Sequence, residues 1–480
     1  MRDPERYILY FSKSQGVNSP LVLPGLRGDS RPKESMSDSA KITMDVSTVG
    51  RELESYINSK LHAATFVPND IALNSKRSIH ASPNAIRSLQ GTEQQGHQYV
   101  TLTSLLSQDV PYGAMLLEFP SSSNTSLEFV NSERFLIYDF PPPAAIYNEY
   151  LLPLRACPVA GDSIPLLLRG APSHSLSQHW LKWVPGFTPP FIKHIHEVMD
   201  YDDIVTSFPH QMIPSCKHAV DPEVHYKLLS KNSIPEMGAH TPHHMTMENH
   251  ALPCMVKAAH GKGTKGTFKA DTEQELEQIL VELRNNLQRC EPPILTEVIE
   301  DIDGNYCLQF YLHKSGEIYW LGVTTQIMGD KFVWGGGVVD WTKQLYLRGL
   351  LWGTICPVKE YLHKQGYFGI VGIDVLTSKR GKFVIDVNPR INGTTPQLFL
   401  APRMADLGYG LSVYIADGRF LCTSESLVQR ADVLNSTGEV RVVVLSSADI
   451  RDGCEAHVVV FGESEEKASE GFKRLKKCRL

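Results

Sequence analysis

A chain of 480 residues is too long for one hydrophobic core and predicts two or three domains. Its 42% hydrophobic content is that of a globular protein, and its net charge of −6 argues against binding to nucleic acid or anionic membranes. No apolar run reaches the roughly 20 residues that span a bilayer, and charges interrupt the short N-terminal apolar patch, so we expect no secretory signal.

The nine cysteines are scattered singly and form no CxxC pair, which argues against a structural zinc site. An odd, scattered set of this kind predicts reduced thiols in a cytoplasmic protein. The sequence does not define the oligomeric state, although a homodimer is the commonest assembly among soluble oligomers.

Composition divides the chain into four parts. Residues 1–47 are rich in Ser, Gly, Pro and charge over most of their length and are expected to be a poorly ordered leader. Residues 48–220 contain short apolar runs between turn-forming residues and predict an α/β domain. The pattern is clearer over 221–425, where helices and hairpins alternate. Two apolar strands and a basic helix at 426–480 predict a small C-terminal α+β subdomain.

The third part opens with a short apolar strand, LPCMVKAA, that runs into the glycine-rich sequence HGKGTKGTF. This loop does not fit the P-loop pattern GxxxxGK[ST], and it does not open a helix as a dinucleotide-binding GxGxxG does. Its glycines Gly261, Gly263 and Gly266 suit a hairpin whose backbone N–H groups fold over phosphates. Lys257, on the preceding strand, would reach the same phosphates. A purely structural turn stays open as the alternative.

A helix and several strands follow the glycine loop. Thr272 and Glu275 form a capping box before a helical apolar face. Strand-like segments come next, and WGGGVVDW at 334–341 is either a loop that lets a substrate approach the backbone or a flexible structural loop. The histidine-rich segment 240–250 fits no zinc spacing, so we interpret it as a solvated loop.

Two apolar segments at 369–378 and 381–390 flank a KRG turn and predict a hairpin. A three-residue loop with glycine last pairs Ser378 with Lys382. The same register, continued along the strands, places two acidic residues directly opposite each other.

Those acids are Asp374 and Asp386, and Asn388 lies two residues further on the same face. Opposed carboxylates weaken a sheet unless a cation lies between them. Hard oxygen donors are the ligands that magnesium accepts when phosphate oxygens complete its coordination. Arg390 follows on that face as a donor suited to phosphate. A solvated edge hairpin whose acids merely face each other is the alternative.

The order and spacing of these segments resemble the ATP-grasp superfamily over roughly residues 221–425. PCMVKAAHGKGTKGTF resembles the phosphate-covering element of that superfamily, and IDVLTSKRGKFVIDVNPRINGTT resembles its metal-binding hairpin. DPEVHYKLLSKNSIPEMGAHTP resembles its earlier lysine segment, and ILTEVIED resembles the strand that holds adenine. The resemblance implies an ATP-grasp fold, α+β in its ATP-binding part, preceded by an α/β domain.

The resemblance also assigns nucleotide contacts. Lys227 and Lys257 would bind phosphates, with Lys231 as the less favoured choice for the first lysine, and the glycine loop would close over them. Adenine would lie against the hinge strand, and the ribose-binding acid of the superfamily falls on an asparagine here. The residues at these adenine and ribose positions are Glu297, Val298, Ile299, Glu300 and Asn305.

For the metal, the resemblance implies that Asp374, Asp386 and Asn388 hold one or two magnesium ions, for which manganese could substitute. Arg390 would stabilise the transferring phosphoryl group or the acyl-phosphate. Asp386 stands where the superfamily usually has a glutamate, one methylene longer, which should shift the metal without abolishing its binding.

The implied activity is an ADP-forming ligase that activates a carboxylate as an acyl-phosphate and couples it to an amine. Such an enzyme has small-molecule carboxylate and amine substrates, with no nucleic acid or membrane partner. A carboxylase, a thioester-forming ligase and a non-catalytic ATP-binding regulatory protein remain the alternatives. The sequence identifies neither the carboxylate nor the nucleophile.

Overall fold

The computed structural model describes six stretches of the chain, and the leader expected at residues 1–47 lies outside them. None of the helices in these stretches is long and apolar enough to cross a membrane. The described stretches are residues 99–120, 131–138, 150–263, 265–286, 291–329 and 332–477.

The described residues form nine α-helices, and several of them begin at a side-chain cap, as where the Thr101 side chain accepts from the Ser104 amide. The helices are α1 (Leu102–Asp109), α2 (Cys157–Ala160), α3 (His174–Trp183), α4 (Pro222–Leu229), α5 (Glu273–Asn286), α6 (Gln344–Lys364), α7 (Thr395–Ala405), α8 (Ser424–Ser436) and α9 (Glu465–Lys476).

The N-terminal part of the described chain is built on a parallel sheet, with the strand order β3-β2-β1-β4. Its inner strands are short, wholly buried apolar runs, as expected where helices cover both faces of a parallel sheet. The strands are β1 (Ala114–Leu116), β2 (Leu166–Leu168), β3 (Ile192–His194) and β4 (Ile204–Thr206).

A second, antiparallel sheet carries the strand and loop at 252–268. Its order is β5-β8-β6-β7, and helix α5 packs on it through the buried side chains of Leu276, Leu280 and Leu283. This arrangement follows from the helical spacing of those leucines. The strands are β5 (His244–Met245), β6 (Cys254–Lys257), β7 (Thr267–Ala270) and β8 (Ile294–Glu297).

The largest sheet has eight antiparallel strands in the order β13-β12-β9-β10-β11-β14-β16-β15. Helix α6 covers one end of it with a cluster that includes Leu351, Ile355 and Val358. The strands are β9 (Ile302–Leu312), β10 (Ile318–Met328), β11 (Trp334–Asp340), β12 (Gly369–Ser378), β13 (Gly381–Asn388), β14 (Leu411–Phe420), β15 (Arg441–Ile450) and β16 (Gly453–Gly462).

The sheets confirm the predicted mixed α/β class, with a parallel sheet first and antiparallel sheets after it. Strands β15 and β16 of the predicted C-terminal subdomain join the large sheet through β14. The boundary expected at residue 425 falls within helix α8. The division into domains stays a prediction.

The segment WGGGVVDW forms strand β11 where a loop was expected. It pairs with β10 and β14, and its glycines allow those strands to approach closely. A Cβ on Gly337 would lie 2.2 Å from Cγ2 of Thr324, and one on Gly336 would lie 2.0 Å from the Tyr414 carbonyl. The glycines are therefore explained by packing within the sheet.

Candidate active site

The hairpin β12–β13 places Asp374 opposite Asp386, as the sequence predicts. The route to this register differs from the prediction, because Ser378 pairs with Gly381 and the turn has only two residues. A bulge at Ile385 then adds the residue that the shorter turn lacks. The two carboxylates thus face each other across a locally twisted part of the hairpin.

Burial and the negative charge of Asp386 both act on the Asp374 carboxyl. Removal from water, first, and the neighbouring charge of Asp386, second, raise the pKa of Asp374 to about 7. Cys307 lies beside Asp374 on strand β9, and burial next to that carboxylate raises the pKa of its thiol. The pair therefore shares a site in which excess negative charge is costly.

Asn388 and Arg390 complete the acidic face of the hairpin. The Asn388 amide donates to Asp374 over 3.4 Å, and Arg390 Nη2 donates to the Asn388 amide oxygen over 2.7 Å. Within the described residues, no group of three His, Cys, Asp or Glu side chains converges as a metal site. Any cation between the two aspartates would take its third protein donor from the Asn388 amide.

Lys231, and not Lys227, is the lysine that reaches this hairpin. Lys231 is buried and its Nζ lies 3.2 Å from Asp386 Oδ2. Lys227 is exposed and pairs with Glu236, which also accepts from the Tyr361 hydroxyl. Helix α4 ends between the two lysines and a 3₁₀ turn begins at Lys231, so the side chains diverge.

Lys257 approaches the hairpin from the second sheet. It is buried, and its Nζ donates to the carbonyl of Ile385 over 3.3 Å, at the bulge. Burial lowers the pKa of Lys257 to about 8, and the charge of Lys231 adds to this effect, while the two aspartates oppose it. The bulge therefore connects the lysine strand to the acidic hairpin.

The glycine loop begins beside the same lysines. A Cβ on Gly261 would lie 2.5 Å from the Lys265 carbonyl and 4.0 Å from Lys231 Nζ. Gly263 and Gly266 adopt positive φ values of 60° and 76°, which favour glycine. The loop therefore needs its glycines for its backbone path, and it starts next to the cationic cluster.

The residues predicted to hold adenine lie further from the acids, around the end of β8. Glu297 accepts both Arg380 Nη1 and Nη2, at 2.7 and 3.0 Å, and so links β8 to the hairpin turn. Ile299 is buried, Val298 is half-buried and Glu300 is exposed. Their contacts with adenine stay a prediction.

At the predicted ribose position, Asn305 accepts from Gln326 Nε2 over 3.2 Å. It lies on strand β9, two residues before Cys307. The carboxylate that the resemblance leads one to expect is therefore replaced by a hydrogen-bonded amide.

The N-terminal sheet contributes side chains that sequence reasoning missed. Phe119 follows β1 and Phe208 follows β4, and their rings meet edge to face with centroids 5.1 Å apart. The Arg390 guanidinium lies 5.1 Å from the Phe208 ring, and Lys262 of the glycine loop lies 4.3 Å from the Phe119 ring. The carboxyl ends of these strands therefore border the acidic hairpin, where open α/β sheets commonly bind ligands.

A buried polar network supports the loop after Arg390. Gln309, on β9, accepts from the Thr395 hydroxyl over 2.6 Å and donates to Thr394 over 2.8 Å. Thr395 in turn accepts the Asn392 amide, and the Asn392 side chain donates to the Arg390 carbonyl. Hydrogen bonds of this kind hold the backbone of a functional residue in one position.

Comparison with known families agrees with this arrangement. Residues 236–388 match an ATP-grasp family described as L-aspartate–L-methionine ligase. The matched segment contains Lys257, the glycine loop and the acidic hairpin through Asn388, while Lys231 and Arg390 flank it.

Solved structures show more distant similarity. An N5-carboxyaminoimidazole ribonucleotide synthetase from Thermus thermophilus is 12% identical, with 66% of this chain and 92% of that chain covered and a TM-score of 0.43. An L-amino acid ligase from Bacillus licheniformis is 14% identical, with coverages of 66% and 91% and a TM-score of 0.40. Because these scores are low, we base the assignment on the family match and the site.

The family match and the lysines, glycine loop and acidic hairpin all indicate the same class of enzyme. The chain therefore contains an ATP-grasp segment, residues 236–388, of the ADP-forming carboxylate–amine ligase type.

Proposed function

We propose that this enzyme uses ATP and magnesium to join the carboxylate of one amino acid to the amino group of another. The convergence of Lys231, Lys257 and Arg390 on the Asp374–Asp386 pair carries this proposal. The name of the matched family, an L-aspartate–L-methionine ligase, supports amino acids as the substrate class.

The acidic hairpin fits a divalent cation by its chemistry. Asp374 and Asp386 lie opposite each other, and the pKa of Asp374 is raised to about 7 by burial and by the Asp386 charge, which a shared cation would relieve. Two carboxylates and the Asn388 amide are hard oxygen donors, the kind that magnesium binds together with phosphate oxygens. We propose that these three residues hold one or two magnesium ions. When bound, the metal would neutralise charge on the ATP phosphates.

The protein's own cations have defined tasks in this proposal. Lys231 and Lys257 lie at the base of the glycine loop and would bind ATP phosphates, whose negative charge would stabilise the protonated form of the buried Lys257. The loop backbone would donate to the same phosphates. Arg390 would stabilise charge on the transferring phosphoryl group.

In this proposal the reaction has two steps, namely phosphoryl transfer and amide formation. A carboxylate oxygen of the first amino acid bonds to the γ-phosphorus of ATP, and the bond from that phosphorus to ADP breaks. The amine nitrogen of the second amino acid attacks the acyl carbon, phosphate leaves, and the nitrogen loses a proton. The closed glycine loop would exclude water, which otherwise hydrolyses the acyl-phosphate.

The test is release of ADP from the purified chain with ATP, magnesium and amino acids supplied singly and in pairs, beginning with L-aspartate and L-methionine. We expect ADP only when both substrates are present, together with a product whose mass equals their sum less one water. The Asp386→Ala variant is the inactive control, and Lys227→Ala is the control for loss of a lysine outside the cluster. Binding of ATP without ADP release for every pair would contradict the proposal.

A further inference from the structure

Arg155 is a buried cation without a partner among the described residues. It lies in the 3₁₀ turn Leu154–Ala156, and its side chain is 5% exposed. Within the described parts of the chain, its guanidinium makes no ion pair and no hydrogen bond, yet its nitrogen atoms are not sealed from solvent. Charged groups this buried are normally paired, because removal from water is costly.

Another buried arginine and a half-buried one show how the protein normally pairs such a charge. Arg403 donates to the carbonyls of Pro185 and Val100, and Arg169 forms a bidentate pair with Glu118. Both are held by the protein itself. Arg155 differs from them because the described residues supply no acceptor, so its acceptor should be a ligand.

The surroundings of Arg155 place it at the crevice beside Arg390. Leu152, in the same segment, packs in one apolar cluster with Phe119 and Phe208. The Phe208 ring lies under the Arg390 guanidinium at 5.1 Å. The segment that carries Arg155 and the side chain of Arg390 therefore border the same apolar cluster.

Arg390 already lies near the charges of Asp374 and Asp386, whereas the buried Arg155 has no anion beside it among the described residues. Lys231 and Lys257 are assigned to the ATP phosphates, so Arg155 is available for a different anion. The planar fork of an arginine matches a carboxylate in two hydrogen bonds. A carboxylate that is consumed in the reaction cannot remain bound there as a permanent counter-ion.

We propose that Arg155 binds a substrate carboxylate that does not react, so that the enzyme selects a substrate bearing a free carboxylate beyond the one it activates. This inference rests on the proposed amino-acid ligase function and names the group that such a substrate must carry. The carboxylate has two sources, namely the amine substrate or a second carboxylate of the acid substrate. Arg155 is thus a specificity-determining residue.

The experiment compares acids with their primary amides. For the amino-acid pair with the fastest wild-type turnover, each member is replaced in turn by its amide, as L-methioninamide for L-methionine or L-asparagine and L-isoasparagine for L-aspartate. KM and kcat are measured for the wild type, Arg155→Gln, Arg155→Lys and the exposed control Arg134→Gln. The amide of the carboxylate that is activated cannot form an acyl-phosphate and gives no turnover. Among the amides that still react, the one with a raised KM in the wild type identifies the source of the carboxylate.

For Arg155→Gln we expect KM for the carboxylate-bearing substrate to rise about 10–100-fold, from the loss of a charge-assisted hydrogen bond. KM for the corresponding amide and for ATP should stay within about twofold, so the preference for acid over amide disappears. Arg155→Lys should retain part of the preference for acid over amide, and Arg134→Gln should retain the full preference. The thermal midpoint of Arg155→Gln should equal or exceed that of the wild type, because an unpaired buried charge is removed.

An unchanged preference for acid over amide in Arg155→Gln would overturn the inference, as would a rise confined to KM for ATP. Lack of ADP release by the wild type would instead reject the proposed function. In that case calorimetry with L-aspartate in the presence of ADP tests the carboxylate site alone. At least tenfold weaker binding to Arg155→Gln supports the inference, and equal binding, or none to the wild type, rejects it.

Discussion

Lys231 Nζ lies 3.2 Å from the Asp386 carboxylate and joins the 3₁₀ turn after helix α4 to the acidic hairpin. Both side chains are largely removed from solvent, unlike the exposed pair between Lys227 and Glu236. In the proposed function, Lys231 is one of the cations that bind the ATP phosphates. The distinction between the two lysines leads to the first prediction.

Replacing Lys231 by methionine, which keeps the apolar stem, should lower kcat/KM by about 10²–10³, comparable to the loss of a charge-stabilising donor at an active site. Lys227→Met removes an exposed ion pair that contributes little and should stay within about threefold of the wild type. Steady-state ADP release gives kcat/KM for both variants and for the wild type. A larger loss in Lys227→Met than in Lys231→Met would show that the phosphates bind elsewhere.

Asp386→Asn should raise the magnesium concentration needed for half-maximal activity by more than about tenfold, because one anionic ligand becomes neutral. Asp386→Glu restores the charge with a longer side chain and should recover most of the affinity. A chelator should abolish ADP release by the wild type, and added magnesium should restore it. A magnesium dependence of Asp386→Asn identical to that of the wild type would remove Asp386 from the metal site.

Gln309→Leu should destabilise the protein by about 1–3 kcal/mol, because the Thr394 and Thr395 hydroxyls lose a buried partner. The loop that carries Arg390 also loses an anchor, so we expect kcat to fall by about tenfold with little change in KM for ATP. Urea unfolding and steady-state kinetics give the two values. Wild-type kcat in a destabilised Gln309→Leu variant would show that the network does not position Arg390.

His225 should make the protein sensitive to acid. Burial lowers the pKa of His225 from 6.5 to about 4, although its ring is hydrogen-bonded to the Pro389 carbonyl at 2.8 Å. The unfolded chain therefore binds a proton near pH 6.5 that the folded protein takes up only near pH 4. Stability from this residue is complete above pH 6.5 and is lost as the pH falls towards 4.

The measurement for His225 is urea unfolding at pH 7 and pH 5. We expect the wild type to lose stability on the order of 1–2 kcal/mol from this residue between those pH values, and His225→Gln to show a smaller difference. His210 has a pKa lowered to about 3 by burial and should add to the effect in both proteins. Equal pH dependence in wild type and variant would exclude His225 as a contributor.

The local sequence pattern was sufficient to predict which residues face each other in the acidic hairpin. Alternation along a strand places Asp386, Asn388 and Arg390 on one face, because the side-chain period of a strand is two. The position of the KRG turn brought Asp374 opposite Asp386 in the predicted register, and the structure has the same pair. The turn itself was predicted one residue too long, and the bulge at Ile385 compensates for that difference.

The sequence could not predict the bulge, because the side chain that binds its carbonyl comes from a distant part of the chain. The Ile385 carbonyl accepts from Lys257, which belongs to another sheet and lies far away in the chain. Local propensity describes the geometry of a strand pair but carries no information about a side chain that arrives from elsewhere.

The sequence by itself determined the residue types of the site and the face of each strand on which they lie, because those depend on the backbone period alone. Only the tertiary structure decided between Lys227 and Lys231, since the end of helix α4 and the following 3₁₀ turn direct the two lysines apart. Packing likewise brought the segment of Arg155 to the apolar cluster under Arg390 and left Arg155 without a partner among the described residues. Contacts between segments far apart in the chain depend on how whole elements pack, which no local pattern encodes.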